Sequence, residues 1–365
     1  MTPTLTLTTA GESHGPALVG IVTGLPAGLR LERDAIDADL RRRQQGYGRS
    51  PRQRLETDAV EVLAGHRHGR TLGTPLALVV RNRDHENWAW GMSPWQPEGE
   101  PSGKGTTPVT TPRPGHADLA GTLKFGHEDV RDTLERASAR GTAMTVAGGA
   151  VAKALLAELG ITVAGTVLEL GGAPDEQGRQ QAVDAARAER DTVGGVVEVR
   201  ASGAPPGLGS FATPAERLDA RLAAALMGIQ AVKGVEIGEG FELARRRGSE
   251  AHDEIEPGLG RTTNRAGGIE GGMTNGEDVV ARLAMKPLPT LMQPLRSVDL
   301  GTGEPAQALV ERSDVAAVEA LAVVAEGAVA WELAAAARAK FGGDSLEDML
   351  ASHRAYLERI PWRPR

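Results

Sequence analysis

Two stretches about 180 residues apart share one local pattern, and that pattern restricts the fold more than any other feature of the chain. "VTGLPAGL" (22–29) ends an apolar strand and leads into a helix carrying "DADL" (37–40). "ASGAPPGL" (201–208) does the same and leads into a helix carrying "DARL" (219–222). In each, proline presets one backbone angle and glycine allows conformations closed to other residues, so Gly-x-Pro-x-Gly-Leu encodes a specific turn. A strand–turn–helix order that recurs once in 365 residues implies a pseudo-duplicated chain, with halves near 1–180 and 181–365. No charge run or flexible linker separates them, so a single domain with one core is expected.

Apolar periodicity predicts strands over 17–24, 59–64, 76–81, 161–170 and 195–202. It predicts helices over 31–44, 129–159 with a break near Gly141, 214–228, 314–340 and 345–359. Residues 91–112, rich in Pro, Gly, Ser and Thr, read as a mobile loop, and the nearby Trp88, Trp90 and Trp95 have no role in this reading. With four Phe and two Tyr, the core must be built from Ala, Val and Leu. The absence of cysteine excludes disulfides, thiolate metal sites and cysteine nucleophiles. No stretch reads as approaching the ~18 apolar residues of a membrane span, and no leader pattern opens the chain, so a cytoplasmic protein is expected.

A net charge of −7 argues against a nucleic-acid binder. Yet only six of the 41 basic residues are lysines, and the arginines gather in "RRRQQGYGRSPRQR", "TPRPGHAD", "ERASARGT" and "LVERSD". The planar guanidinium fork suits bidentate binding of phosphate and carboxylate, so these local clusters point to small anionic ligands.

Near the start, "GESHG" places His14 between Gly11 and Gly15, where it should be presented on a turn rather than packed. "RPGHAD" offers a second glycine-flanked histidine, His116. "ERASARGT" puts Ser138 and Arg140 beside Gly141, where a helix break would turn N–H groups toward an anion. "NRAGGIEGGMTNGED" (264–278), followed by a strand and "MKPLPT", reads as a backbone cradle with Lys286 as its charge. "GEPSGKGTT" fails the phosphate-loop spacing, and "GLGSFA" follows a proline pair instead of a strand, so neither marks a nucleotide site. "HRH" (66–68) lacks a sensible third metal ligand.

Taken together, "GESHGPALVGIVTGLPAG", "RRRQQGYGRSPRQ", the run from "RPGHAD" to "GGAVAK", "GGVVEVRASGAPPGLGS", "KGVEIGEGF", "GGIEGGMTNGEDVVARLAMKPLPTL" and "SVDL" followed by "VERSD" resemble the chorismate synthase family, in the family's order and over nearly the whole chain. After "RSD" the chain departs from the family, with "VAAVEALAVV" where a proline-containing stretch is usual. The resemblance implies an α+β fold, a β-α-β sandwich of two pseudo-repeated halves, assembled as a homotetramer. It implies conversion of 5-enolpyruvylshikimate 3-phosphate to chorismate and phosphate, with reduced FMN as a cofactor that is not consumed and NADPH as a candidate reductant. No nucleic-acid or membrane partner is implied.

By the same resemblance Arg49, Arg52, Arg113, Arg140 and Arg312 hold substrate. Ser138, Ala139, Arg140, Gln230, Ala231, Gly271, Lys286, Pro287, Leu288, Pro289, Thr290 and Arg312 line the flavin, and Arg43 and Arg49 are linked to nicotinamide nucleotide. His14 is the proton donor to the departing phosphate, His116 stabilises the reduced flavin, and Asp314 supports removal of the C6 proton through flavin N5. Two other classes of function stay open at this level. An arginine-rich nucleic-acid module predicts salt-sensitive DNA or RNA binding, and a different flavin-dependent reductase predicts net NAD(P)H turnover.

Overall fold

The computed structural model describes residues 5–50, 57–311 and 313–362. Its first part runs β1 (Thr6–Ala10), β2 (Ala17–Thr23), β3 (Ala27–Arg30), α1 (Arg33–Gln44), β4 (Val60–Ala64), β5 (His66–Arg67), β6 (Arg70–Leu72) and β7 (Leu76–Arg81). After a long irregular connection come α2 (Asp118–Phe125), α3 (Arg131–Ala137), α4 (Thr142–Ala157), β8 (Thr162–Leu170), α5 (Glu176–Ala188) and β9 (Gly195–Ser202). Then follow α6 (Leu218–Met227), β10 (Val232–Ile237), α7 (Gly248–Ala251), β11 (Ile269–Glu270), β12 (Met273–Thr274) and β13 (Val279–Met285). The chain closes with β14 (Arg296–Val298), β15 (Pro305–Gln307), α8 (Val318–Phe341) and α9 (Leu346–Arg359).

Two four-stranded antiparallel sheets dominate, in the orders β1-β2-β7-β4 and β10-β13-β9-β8. α4 packs on β2 and β7, α8 packs on β8 and β9, and the two helices lie against each other between the sheets. Mixed helix and antiparallel sheet in these layers is the α+β sandwich that the sequence predicts.

Glycine and alanine make the helix layer thin. A Cβ on Gly149 of α4 would fall 2.3 Å from the Gly327 backbone of α8, and one on Gly165 of β8 would fall 2.4 Å from the Ala322 carbonyl oxygen. Larger residues there would push the layers apart. α8 is buried along most of its length. The sequence reading found no stretch fit to cross a membrane, whereas α8 has the length and apolar composition to do so. Its burial in the protein core accounts for that composition.

One buried carboxylate pins this layer. Glu326 of α8 accepts both terminal nitrogens of Arg42 in α1 at 2.9 Å, Lys153 Nζ of α4 at 2.6 Å and the Gly165 N–H of β8 at 3.0 Å. Burial alone would raise this carboxyl, but the bonds from Arg42 and Lys153 outweigh it and hold it below its ordinary value.

The two echoing turns have the same geometry. Gly24 and Gly28 have φ of 82° and 89°, and Gly203 and Gly207 have 85° and 87°. In the first, the Thr71 hydroxyl donates to the Pro26 carbonyl at 2.6 Å and accepts the Leu29 N–H at 3.0 Å. In the second, Thr274 does the same to Pro205 at 2.6 Å and from Leu208 at 2.8 Å.

Candidate active site

His14 sits where β1 doubles back into β2. A Cβ on Gly11, at φ 112°, would meet the Ala17 carbonyl oxygen at 2.5 Å, so the reversal requires glycine there. The turn then drops onto α3, whose Glu135 takes the His14 backbone N–H at 2.8 Å. The same carboxylate lies 2.8 and 3.0 Å from His14 Nδ1. The imidazole stacks on Trp88 with ring centroids 4.0 Å apart. Trp88 in turn donates its indole N–H to Asp84 at 3.0 Å, which gives one of the tryptophans a place. The expectation of a presented, unpacked histidine is therefore corrected: His14 is buried, clamped by an acid and a ring, while still lining a cavity.

His116 has a similar partner. It follows Gly115, at φ 77°, and its Nδ1 bonds the fully buried Asp118 carboxylate. Arg113 grips the same carboxylate through Nε at 2.8 Å, Nη2 at 3.2 Å and its backbone N–H at 3.0 Å. Burial would raise the Asp118 carboxyl, but the bonds from His116 and Arg113 override it and hold the group well below the carboxylate range. Arg113 Nη1 donates to Thr290 at 2.9 Å and to Glu311 at 3.4 Å. It is thus an anchored guanidinium more than a free substrate clamp.

The remaining cations are also held by fixed partners. Asp58, buried, accepts Arg43 Nη2 at 2.8 Å and Arg140 Nη1 at 2.7 and 2.8 Å. Asp314 pairs with Arg49 Nη1 at 2.8 Å and takes the Ser50 N–H at 2.6 Å. The Nε atoms of Arg43 and Arg49 are buried and have no hydrogen-bond partner among the described residues. Lys286 donates to the Gly115 carbonyl, and burial followed by the charge of Lys233 pushes its ammonium below the ordinary value.

These groups surround one cavity of about 390 Å³. Among the described residues, Arg43, Arg49, Arg113, Arg140 and Lys286 line it against the carboxylates Glu311 and Asp314, while Asp58, Asp118 and Glu135 lie in the protein behind the side chains they orient. Arg43, Arg113 and Arg140 with their buried partners thus form dipoles with the positive end toward the cavity. Opposite in character is an apolar wall: Ala317, Ala320, Leu321 and Val324 line the cavity at the 3–4–7 spacing of one helix face.

Of the other residues expected to line a flavin, Ser138, Ala139, Gln230, Ala231, Leu288, Pro289 and Thr290 line this cavity. Ser138 caps the short turn at 139–141, its Oγ accepting the Arg140 N–H at 3.2 Å. Ala231 adopts a left-handed φ of 69°, a strain of about 1–2 kcal/mol that recurs at functional sites. Pro287 and Gly271 do not line it. Arg52 and Arg312 lie outside the described residues.

The glycine-rich stretch 264–278 is not the cradle of this cavity. Gly271 and Gly272, with φ of 59° and 84°, form the two-residue tip of the β11–β12 hairpin. Gly267 and Gly268 let backbone approach backbone, since Cβ atoms there would lie 2.3 Å from the Gly238 nitrogen and the Asp278 oxygen. Those glycines are explained by chain packing. Sequence reasoning missed Asp58, Asp118 and Glu135, although Asp118 and Glu135 stand inside the two segments singled out for His116 and Ser138.

The chorismate synthase family model matches residues 5–337. A chorismate synthase of Desulforudis audaxviator (strain MP104C) is 52% identical over 382 residues, covering 96% of this chain and 97% of its own. One from Rubrobacter xylanophilus is 53% identical over 379 residues, covering 96% of each. A crystal structure of chorismate synthase, 36% identical, covers 99% of both chains with a TM-score of 0.78. The chain belongs to the chorismate synthase family, carbon–oxygen lyases that eliminate phosphate from 5-enolpyruvylshikimate 3-phosphate to give chorismate.

Proposed function

We propose that the family's elimination takes place in this cavity with reduced FMN bound beside the substrate, His14 serving as acid and the cavity arginines as anion holders. The observation that carries this reading is the set of five cations on one cavity wall, three of them held by carboxylates buried behind it. A substrate with two carboxylates and a phosphate, next to a flavin phosphate, needs such a wall, because each uncompensated anion taken from water costs several kcal/mol.

The residues present fit the flavin on two counts. The Nε–H groups of Arg43 and Arg49, without a partner among the described residues, are buried donors that an anionic ligand would satisfy. The helix face of Ala317, Ala320, Leu321 and Val324 gives a planar ring an apolar surface with no bulky side chain in the way. Ser138, Ala139, Gln230, Ala231 and Leu288 to Thr290 would hold it. When bound, reduced FMN supplies electron density that weakens the C3–O bond and is not consumed.

Arg49 and Arg140, held by Asp314 and Asp58, orient the anionic groups of the substrate. With His14 Nδ1 on Glu135, the proton for the departing phosphate leaves from Nε2. His116, its Nδ1 held by Asp118, would offer Nε2 as a hydrogen-bond partner to the reduced flavin. Family resemblance supports a cytoplasmic homotetramer, with NADPH as candidate reductant and no nucleic-acid or membrane partner. Exposed Leu119, Leu123 and Phe125 on α2 are compatible with contact between copies.

The test is an anaerobic assay with photoreduced FMN and the phosphate ester, following chorismate absorbance. Many turnovers per flavin are expected. One chorismate per flavin reduced would overturn the role of FMN as a non-consumed cofactor.

A further inference from the structure

Glu135 is tied to the His14 turn at three points. Its carbonyl accepts the Ser13 N–H at 3.1 Å, its Oε2 accepts the His14 N–H at 2.8 Å, and both carboxylate oxygens face His14 Nδ1. It is buried, on an α3 that also lends Leu134 and Ala137 to the cavity wall. A carboxylate placed this way selects one tautomer of an imidazole. As an acceptor only, it draws the proton onto Nδ1, so Nε2 becomes the atom that faces away from the carboxylate.

Other charges near the ring come from several elements. Arg131 of α3 approaches Glu135 to 3.8 Å and sits 5.1 Å from the Trp88 ring. His85 Nδ1 lies 3.0 Å from the His14 carbonyl oxygen, Asp84 takes the Trp88 indole N–H, and Lys104 lies 5.9 Å from the Trp88 ring. Among these described contacts, Glu135 is the carboxylate on the imidazole itself. Stacking on Trp88 fixes the ring plane, and the Nδ1 contact to Glu135 draws a proton to that edge.

We propose that Glu135 is the positioning residue of the elimination: it locks His14 in the Nδ1–H form and aims Nε2 at the leaving phosphate. This rests on the reading of His14 as proton donor, and the test keeps the two apart. Glu135→Gln preserves shape, the backbone tie to Ser13 and an oxygen for the His14 N–H. Its amide NH₂ then faces Nδ1 and donates to it, which moves the proton to Nε2 in the neutral ring. ¹⁵N NMR of histidine-labelled protein, with His14→Ala to assign the signal, reads this directly.

The expected result is a pyrrole-type Nδ1 signal in the parent and a pyridine-type one in Glu135→Gln. In parallel kcat should fall about 10- to 100-fold, the usual effect of removing the partner that orients a functional histidine, with KM changed much less. Glu135→Asp should recover part of the loss. An unchanged ¹⁵N pattern in Glu135→Gln overturns the proposal, as does full kcat in that variant when His14→Ala is inactive. Retained turnover in His14→Ala overturns the acid reading of His14 instead, and the ¹⁵N pattern alone then decides whether Glu135 sets the tautomer.

Discussion

Asp314 pairs with Arg49 and holds the Ser50 N–H, so its charge is engaged before any ligand arrives. Two roles are compatible with that geometry: steadying Arg49, or moving a substrate proton. Asp314→Asn keeps the shape and removes the charge. The ternary complex with reduced FMN and substrate is expected to form, as seen in the flavin spectrum, while turnover falls about 10²-fold or more. Retained kcat at saturation, with weaker substrate binding and a lower Tm, would make Asp314 only the counter-ion of Arg49. Much of the cavity was legible at this scale, because glycine flanks mark His14 and His116, and arginine clusters mark the cations that line it. The carboxylates behind them were not. Glu135 reaches His14 across 121 residues of sequence, and no local spacing encodes such a meeting.

Elements with a strong apolar period came out of the sequence with ends within a few residues of those observed, including the break at 139–141 between α3 and α4. The helix expected from 314 starts at Val318, because residues 314–317 first bring Asp314 to Arg49 and the Val315 N–H to the Gly48 carbonyl. α5 escaped notice because only Val183 and Ala186 are buried on an otherwise polar helix. Its one legible sign was Asp175, which caps the helix by accepting the Gly178 N–H at 2.9 Å. α9 offers a test at this scale. His353 is buried with its ring edge-on to Phe341 of α8 at 5.0 Å, and burial lowers its proton affinity. The unfolded chain therefore binds the proton more readily. This contribution to stability is full above the unfolded value of ~6.5 and is lost as pH falls through the folded one. Tm should drop between about pH 7.5 and 5.5 by more in the parent than in His353→Leu, measured by thermal melts at both. Equal slopes would mean that the imidazole binds its proton equally well in the folded and unfolded states.

For the whole molecule, strand order was beyond the sequence. Nothing local says that β2 pairs with β7, or that Thr71 and Thr274, far from the turns they brace, give the two echoing loops one geometry. The tie between layers was equally hidden, since Glu326 gathers α1, α4 and β8 from across the chain. Glu326→Ala should leave Arg42 and Lys153 short of a partner and cost about 3–5 kcal/mol, read as a lower urea midpoint with an unchanged slope. A loss below about 0.5 kcal/mol would place the cluster among ion pairs of surface strength. The position of α8 along the chain also matters during synthesis. Both sheets and α4 precede Val318, so they emerge from the ribosome before the helix that fills the space between them. At about 5–20 residues per second, roughly 3–11 s of translation separate the end of β13 from the end of α8, with those apolar faces uncovered. Until α8 is made, both sheets and α4 lack their apolar cover, and the cavity lacks the wall that Ala320, Leu321 and Val324 give it.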